Sequence, residues 1–407
     1  MKKARIVLAL LFVAILLVGC GTTASQGNAT GDKAASVKAI RMGILVPFTG
    51  EMAGFGKPWA DAIKVATQEI NDNGGILGQQ IELRSEDTKS SVEESIKAIR
   101  KLVTSDNVIA INGPVSDDVL AIMDYARQNK VVVISPAAGT TKLDTTSGNF
   151  IYRTVASDSF LGESAAQFLW KQGFKEAAVL AQNDEGRITE SEEFVKVFKS
   201  LGGKILAQEK FNPGQTTYQA ELKKLLGTNP PVMYLAASQE TGSTILKEWY
   251  QRKYGGKWML TGDMGVQDFI DMTGAQVMEG MWTQTPEISG DPAAYDKWKT
   301  NYKKVAGDDP GWGSESAYDA QILLALAAVA ASNPAPTGTL INDNIKKVAS
   351  PPGTVVHSYA EGVAELKKGN DINYEGISGT LDFDQYGNVP GSYSILVAKN
   401  GKWEAAK

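Results

Sequence analysis

The sequence predicts an α/β protein made of two doubly wound, parallel-sheet lobes. Three observations lead there. Short β-rich runs alternate with amphipathic helical patterns, the arrangement that gives parallel strands joined by crossover helices. The alternation runs once, restarts near residue 150, then gives way to helices and a β-rich end. About 370 residues lie beyond an unusual N-terminal stretch, more than one core usually holds.

The first unit opens with an apolar strand at 40–48, IRMGILVPF. Gly56 and Pro58 are expected to open the next helix, Pro58 standing where a first turn needs no N–H. Ala62, Ile63, Ala66 and Ile70 then recur at helical spacing until Asn73-Gly74-Gly75 stops the run. Strands at 80–85, 108–112 and 131–135 alternate with helices at 92–103 and 117–128. The second unit has strands at 150–155, 177–181, 204–211, 232–236 and 258–260. Its helices fall at 160–171, 190–201, 218–226, 241–252 and 266–272. After a run at 279–284 come helices at 293–305, 315–331 and 340–348, then β segments at 379–383 and 393–403. The apolar run 322–331, ILLALAAVAA, falls short of the ~20 helical residues that cross a bilayer and reads as a buried helix. No tandem repeat is evident.

The first residues form a separate signal. Lys2, Lys3 and Arg5 precede thirteen apolar residues at 6–18, which fit a signal peptide better than a membrane span. The stretch ends in Leu17-Val18-Gly19-Cys20, followed by a Gly-, Ser-, Thr- and Asn-rich tract to Ser36. The expected organisation is a signal peptide over 1–19 and a flexible tether over 20–37. Cys20 is the chain's one cysteine, so no disulfide framework exists and the domain must stand on its core alone.

Charge and motifs exclude several functions. Without Lys2, Lys3 and Arg5 the chain carries 38 basic and 46 acidic residues, a net charge of −8. A nucleic-acid surface would need clustered Lys and Arg. The one histidine, His357, has no cysteine partner or metal spacing and is expected at the surface. No P-loop, G-x-S-x-G or G-x-G-x-x-G string occurs, and Gly54-Phe55-Gly56 lacks the third glycine. The expectation is therefore no enzyme, no metal and no cofactor.

In open α/β sheets a ligand lies beyond the carboxyl ends of the strands, so the loops there matter most. A helix starting near Ser116 offers unpaired N–H groups, so its hydroxyl either flanks a ligand carboxylate or caps the helix. The loop Ser135-Pro136-Ala137-Ala138-Gly139-Thr140-Thr141 offers backbone groups and hydroxyls to a small polar ligand, or is an ordinary connection. Asp263 either meets a ligand ammonium or is a solvated or capping residue.

At these loops the chain resembles the solute-binding proteins of ABC importers of the branched-chain amino acid (Leu/Ile/Val-binding) type. The strings ILVPFTGEMAGFGK (44–57), EINDNGGILG (69–78), VVVISPAAGTT (131–141), MEGMW (278–282) and SAYDA (316–320) carry the resemblance. It implies the type I periplasmic binding fold, with a cleft between lobes joined by three crossings. These would fall near Thr154-Val155, Trp282-Thr283 and 384–390. One lobe would then hold 38–154 and 283–384, the other 155–282 and 385–407. The Leu-Val-Gly-Cys string resembles a bacterial lipobox, which implies acylation of Cys20 and a lipid anchor outside the cytoplasm, in a periplasm or at a cell surface.

By the same resemblance, Ser116 and amides near Gly139 and Thr140 hold a ligand carboxylate. The Ala137 carbonyl, the Thr140 hydroxyl and Asp263 hold its ammonium, while Phe55 and Trp312 line a side-chain pocket. The chain departs from the family at Asn183-Asp184-Glu185-Gly186-Arg187, where Glu185 replaces an aromatic and is either a ligand contact or neutralised by Arg187. It departs again at Ala237-Ser238, where small residues imply a wider, less apolar cleft. The implied function is capture of a small amino acid or related carboxylate or amide for an ABC permease. The alternatives are a ligand sensor of the same fold without transport and, behind it, an exported enzyme.

Overall fold

In the computed structural model, which describes residues 39–287 and 290–406, the β/α alternation builds two sheets. The expected signal peptide, tether and Cys20 lie outside the described residues.

The first sheet takes β1 (Ile40–Val46), followed by α1 (Ala53–Asp72), β2 (Ile81–Asp87), α2 (Val92–Thr104) and β3 (Ala110–Asn112). Then come α3 (Ser116–Asn129), β4 (Val132–Ser135), a tight helical turn (Thr141–Leu143) and β5 (Ile151–Arg153). Its order is β2-β1-β3-β4-β5, every pair parallel, with Ile40 opposite Ile81 and Ala110 opposite Val132. The second sheet starts after α4 (Asp158–Lys171), with β6 (Glu176–Gln182), α5 (Glu185–Ser200), β7 (Lys204–Phe211), α6 (Gln219–Leu226) and β8 (Val232–Ala236). It continues through α7 (Gln239–Gln251), β9 (Lys257–Leu260), α8 (Gln267–Thr273), α9 (Ala275–Met278) and β10 (Trp282–Pro286).

The chain then returns to the first lobe as α10 (Pro292–Ala306), α11 (Ser314–Ala330), α12 (Gly338–Ala349), β11 (Thr354–Val356), α13 (Tyr359–Lys367) and β12 (Ile372–Tyr374). It finishes as β13 (Tyr393–Lys399) and β14 (Lys402–Ala405) on the second sheet, whose order is β14-β13-β10-β9-β8-β6-β7. There β13 is antiparallel to both β10 and β14. Each sheet reverses its winding once, between β1 and β3 and between β6 and β8, and such switch points open a crevice at the strand ends.

Strands buried on both faces read as continuous apolar runs, as β8 (VMYLA) does here. The run at 322–331 lies in α11, which is buried along nearly its whole length against the core shared by α1, α12 and β12. The Asn112 amide donates to the Ala317 carbonyl at 2.9 Å, and the Thr154 hydroxyl donates to that of Ser316 at 2.9 Å, so α11 also ties to β3 and to the first crossing. No helix among the described residues is long and apolar enough to cross a membrane.

Several expectations change. Helix α1 starts at Ala53, so Pro58 sits inside it and removes the N–H that would bond the Gly54 carbonyl. The early start is fixed by packing, because Gly56 lies so close to the Pro47 carbonyl that a Cβ there would stand 2.2 Å from its oxygen. Trp282 and Thr283, expected at a crossing, pair with β9 and β13, so the chain leaves the second sheet only after Pro286. Residues 385–388, expected in the second lobe, stay on the first. Lys346 binds the Gln385 carbonyl at 2.7 Å, and the Asn388 amide binds that of Asp144 at 3.0 Å. No strand forms at 379–383, where only a bridge joins Glu375 and Thr380. Helix α13 and strands β11 and β12 lie in a stretch to which the residue pattern assigns no element. His357 there is half-buried, its Nδ1 3.2 Å from the Glu375 carbonyl.

Leu324→Ala in α11 is expected to cost about 3 kcal/mol, since a wholly buried leucine leaves a cavity. Urea unfolding checks this, and a loss under about 1 kcal/mol would mean the helix is not packed as described.

Candidate functional site

Both switch points feed one enclosed space. At the end of β3, Gly113 turns with φ +121°, and a side chain there would collide with Val46 and the Leu45 carbonyl, so this position needs glycine. The turn delivers Ser116 as the first residue of α3. Val115 is the N-cap, and Asp118 does the capping, accepting the Val115 N–H at 3.3 Å. Ser116 is thus free of the capping role. Its Oγ accepts the Thr140 N–H at 3.4 Å, which leaves its own O–H available.

The loop after β4 is held from beneath. Ser135 Oγ accepts the N–H groups of Ala137 and Ala138 at 3.1 and 2.7 Å. Arg153, fully buried, donates from Nη1 to the carbonyls of Ala138, Gly139 and Thr140 at 3.2, 2.9 and 3.1 Å, and from Nη2 to Asp144 at 2.6 Å. The Gly139 N–H bonds the Ala137 carbonyl at 3.0 Å, so two groups expected to meet a ligand already meet each other. Gly139 also packs against Asp158, whose Oδ1 would lie 1.9 Å from any Cβ.

From the other side, α5 brings Arg187 inward. Asp184 caps this helix by accepting the Arg187 N–H at 3.0 Å. The Arg187 guanidinium binds Asp263 and stands 3.9 Å from Glu190. Asp263 also accepts the Thr261 hydroxyl at 2.8 Å, Glu190 accepts that of Tyr234 at 2.7 Å, and Asp158 accepts that of Thr189 at 2.7 Å. Four acids therefore surround one arginine. Burial pushes the Asp158 carboxyl up to about 7 and that of Asp184 to about 6. It lifts Glu190 well above the usual carboxylate range, and it raises Asp263 against the opposing pull of Arg187. Among the described residues no group of His, Cys, Asp or Glu is arranged to hold a metal.

Ser116, Ala137, Gly139 and Trp312 on one side, and Gly186, Arg187, Glu190 and Asp263 on the other, enclose a cavity of about 40 Å³. Asp158, Val155, Leu161 and Gly262 complete its wall. Larger hollows exist, about 420 Å³ at the crossings and about 990 Å³ beside α1 and α10, but neither takes residues from both switch points.

The expected site residues divide accordingly. Ser116, Ala137, Gly139, Asp263 and Trp312 line the cavity. Phe55 does not; it is buried behind Trp312, edge-on at 6.1 Å, and stacks on Trp59 at 5.4 Å. Thr140 and Glu185 instead join the lobes. The Thr140 hydroxyl donates to Glu185 Oε1 at 2.9 Å, Lys142 pairs with Oε2 at 2.7 Å, and the Glu185 N–H donates to Asp117 at 3.0 Å. Lys142, not Arg187, therefore neutralises Glu185. The Ser238 hydroxyl binds Glu51 across the cleft, beside that of Thr241. These contacts hold the lobes shut. Asp158 and Glu190 were missed by sequence reasoning, since nothing in their spacing separates them from solvated acids.

Two outcomes follow. A raised carboxyl keeps its proton longer in the native state than in the unfolded chain, so native protein binds more protons between about pH 4 and 7. Stability contributed by Asp158 and Asp184 therefore falls as pH rises through that window, and Asp158→Asn should flatten the slope of urea midpoint against pH; an unchanged slope contradicts the assignment. Lys142→Ala should loosen closure while changing overall stability by no more than ~1 kcal/mol, because its side chain is 61% exposed. Small-angle scattering without ligand should then show a larger radius of gyration, and an identical radius would remove Lys142 from the closure contacts.

Comparison with known proteins agrees with this architecture. Residues 39–389 match the family model described as periplasmic binding protein. The leucine-, isoleucine-, valine-, threonine-, and alanine-binding protein of Pseudomonas aeruginosa is 22% identical over 96% of this chain and 95% of its own. The Leu/Ile/Val-binding protein BraC3 of Rhizobium johnstonii is 25% identical over 51% of this chain, and the match spans 57% of that protein. The crystal structure of the branched-chain amino acid transporter substrate binding protein LivJ from Streptococcus pneumoniae, in complex with isoleucine, superposes with a TM-score of 0.77. It is 23% identical, over 91% of this chain and 99% of that one. With its two sheets, paired switch points and enclosed cleft, this chain belongs to the periplasmic binding protein family.

Proposed function

We propose that this protein is the extracytoplasmic solute-binding component of an ABC importer, capturing a small amino acid or related carboxylate or amide between its lobes. The observation that carries this reading is the cavity walled by both lobes at their switch points, with Ser116 and Asp263 both on its wall. The N-terminus of α3 and the Ser116 hydroxyl suit a carboxylate, since unpaired N–H groups at a helix start carry partial positive charge. A solute that touches both lobes stabilises closure only through contacts the open form lacks. The importing role is supported by the transport relatives named above.

Acylation of Cys20 would hold the protein at a membrane, and the tract to Ser36 would give it reach toward a permease. The acids on the cavity wall are bonded to hydroxyls or to Arg187, which suits a binding wall.

Calorimetric titration of amino acids, amides and aromatic acids into the soluble 37–407 form tests the reading. One class is expected to bind, and Ser116→Ala to weaken it by ~1.5–3 kcal/mol, the worth of a hydrogen bond to a charged group. Absence of binding by every solute would reject capture; an unchanged affinity in Ser116→Ala would move the carboxylate elsewhere.

A further inference from the structure

The acid expected to receive a ligand ammonium is already taken. Asp263 and Arg187 face each other with side chains only 2% and 14% exposed. Asp263's other oxygen accepts the Thr261 hydroxyl at 2.8 Å. Arg187 is held further by Glu190 at 3.9 Å and through its own N–H by Asp184 at 3.0 Å. The second expected ammonium acceptor, the Ala137 carbonyl, receives the Gly139 N–H at 3.0 Å. The two remaining acids on the cavity wall, Asp158 and Glu190, each accept a buried hydroxyl, and burial favours the neutral form of both, raising Asp158 to about 7 and Glu190 well above the usual carboxylate range. The opposite wall differs, because the Ser116 O–H stays free to donate at the start of α3.

We propose that Arg187 is a specificity-determining residue: it neutralises Asp263 from within the protein, so the cleft selects small carboxylates without a charged amine, such as α-keto acids, over the matching amino acids. This rests on the proposed solute capture and narrows its ligand class. An ammonium would have either to displace a guanidinium held by the buried Asp263 and Glu190 or to enter beside it as a like charge. A keto or other neutral acceptor meets neither obstacle. Arginine has five N–H donors, and Asp263 and Glu190 do not occupy them all, so such a group can receive a hydrogen bond where an ammonium cannot.

Calorimetry with matched pairs on the full chain, purified in detergent, tests this: alanine and pyruvate, leucine and α-ketoisocaproate, phenylalanine and phenylpyruvate, glutamate and α-ketoglutarate. In at least one pair the keto acid should bind about tenfold or more tighter than the amino acid. Arg187→Met should free Asp263 and shift that ratio toward the amino acid by a similar factor. Should the single variant not fold, the doubly neutral Arg187→Met/Asp263→Asn protein decides, with the ratio expected to fall at least threefold. A preference for the amino acid in every pair that binds, or a ratio unmoved by removing Arg187, overturns the proposal. Binding of some other solute with no response to any pair also overturns it but leaves solute capture standing, whereas failure of every solute removes both.

Discussion

One buried guanidinium, that of Arg153, organises the cleft without touching its contents. A charge with no solvent exposure is tolerable only when it is paired and hydrogen-bonded, and here three successive carbonyls and a carboxylate bind its two terminal nitrogens, while Nε has no partner among the described residues. The loop from Ala138 to Thr140 must therefore turn its carbonyls toward Arg153. That same arginine ends β5, immediately before the chain first crosses to the second lobe. The Asp158 N–H, at the start of the next helix, then bonds the Gly139 carbonyl at 2.7 Å. Loop and crossing thus share one anchor, and Gly139 is required because Asp158 presses against it.

The second lobe offers a different chemistry. Its wall is made of acids and one arginine rather than aromatic rings, and burial raises the carboxyls of Asp158 and Glu190 above the usual carboxylate range. Buried charges this close are costly unless paired, so the pairing of Arg187 with Asp263 is also what lets the wall exist without solvent. Closure is fastened elsewhere, at Glu185 with Thr140 and Lys142 and at Glu51 with Ser238 and Thr241. The residues that grip and the residues that fasten are therefore distinct. Exposed pairs such as Lys142 with Glu185 are individually weak, which suits a contact that must open and shut.

The order of strands and helices from β1 to α12, the buried run in α11, and the loops that carry Ser116, Gly139 and Asp263 were legible from residue pattern, whereas β11, α13 and β12 were not. Apolar periodicity and glycine-bearing strand ends act locally, over a few residues, and so they mark the chain directly. The beginning of α1 was not legible, because its first turn is set by Gly56 packing on the Pro47 carbonyl. Nor was the place of Trp282 and Thr283, which depends on strands far away in sequence accepting β10 as a neighbour. Phe55, which the family resemblance put in a side-chain pocket, stacks behind Trp312, and Glu185, left open between ligand and Arg187, pairs with Thr140 and Lys142: a sequence brings a side chain near a cleft without saying which way it points. Tertiary structure alone decided that Lys142 pairs with Glu185, that Arg187 pairs with Asp263, and that Asp158 and Glu190 lose solvent. Each of those outcomes depends on burial and on distances between segments that the chain's order does not contain.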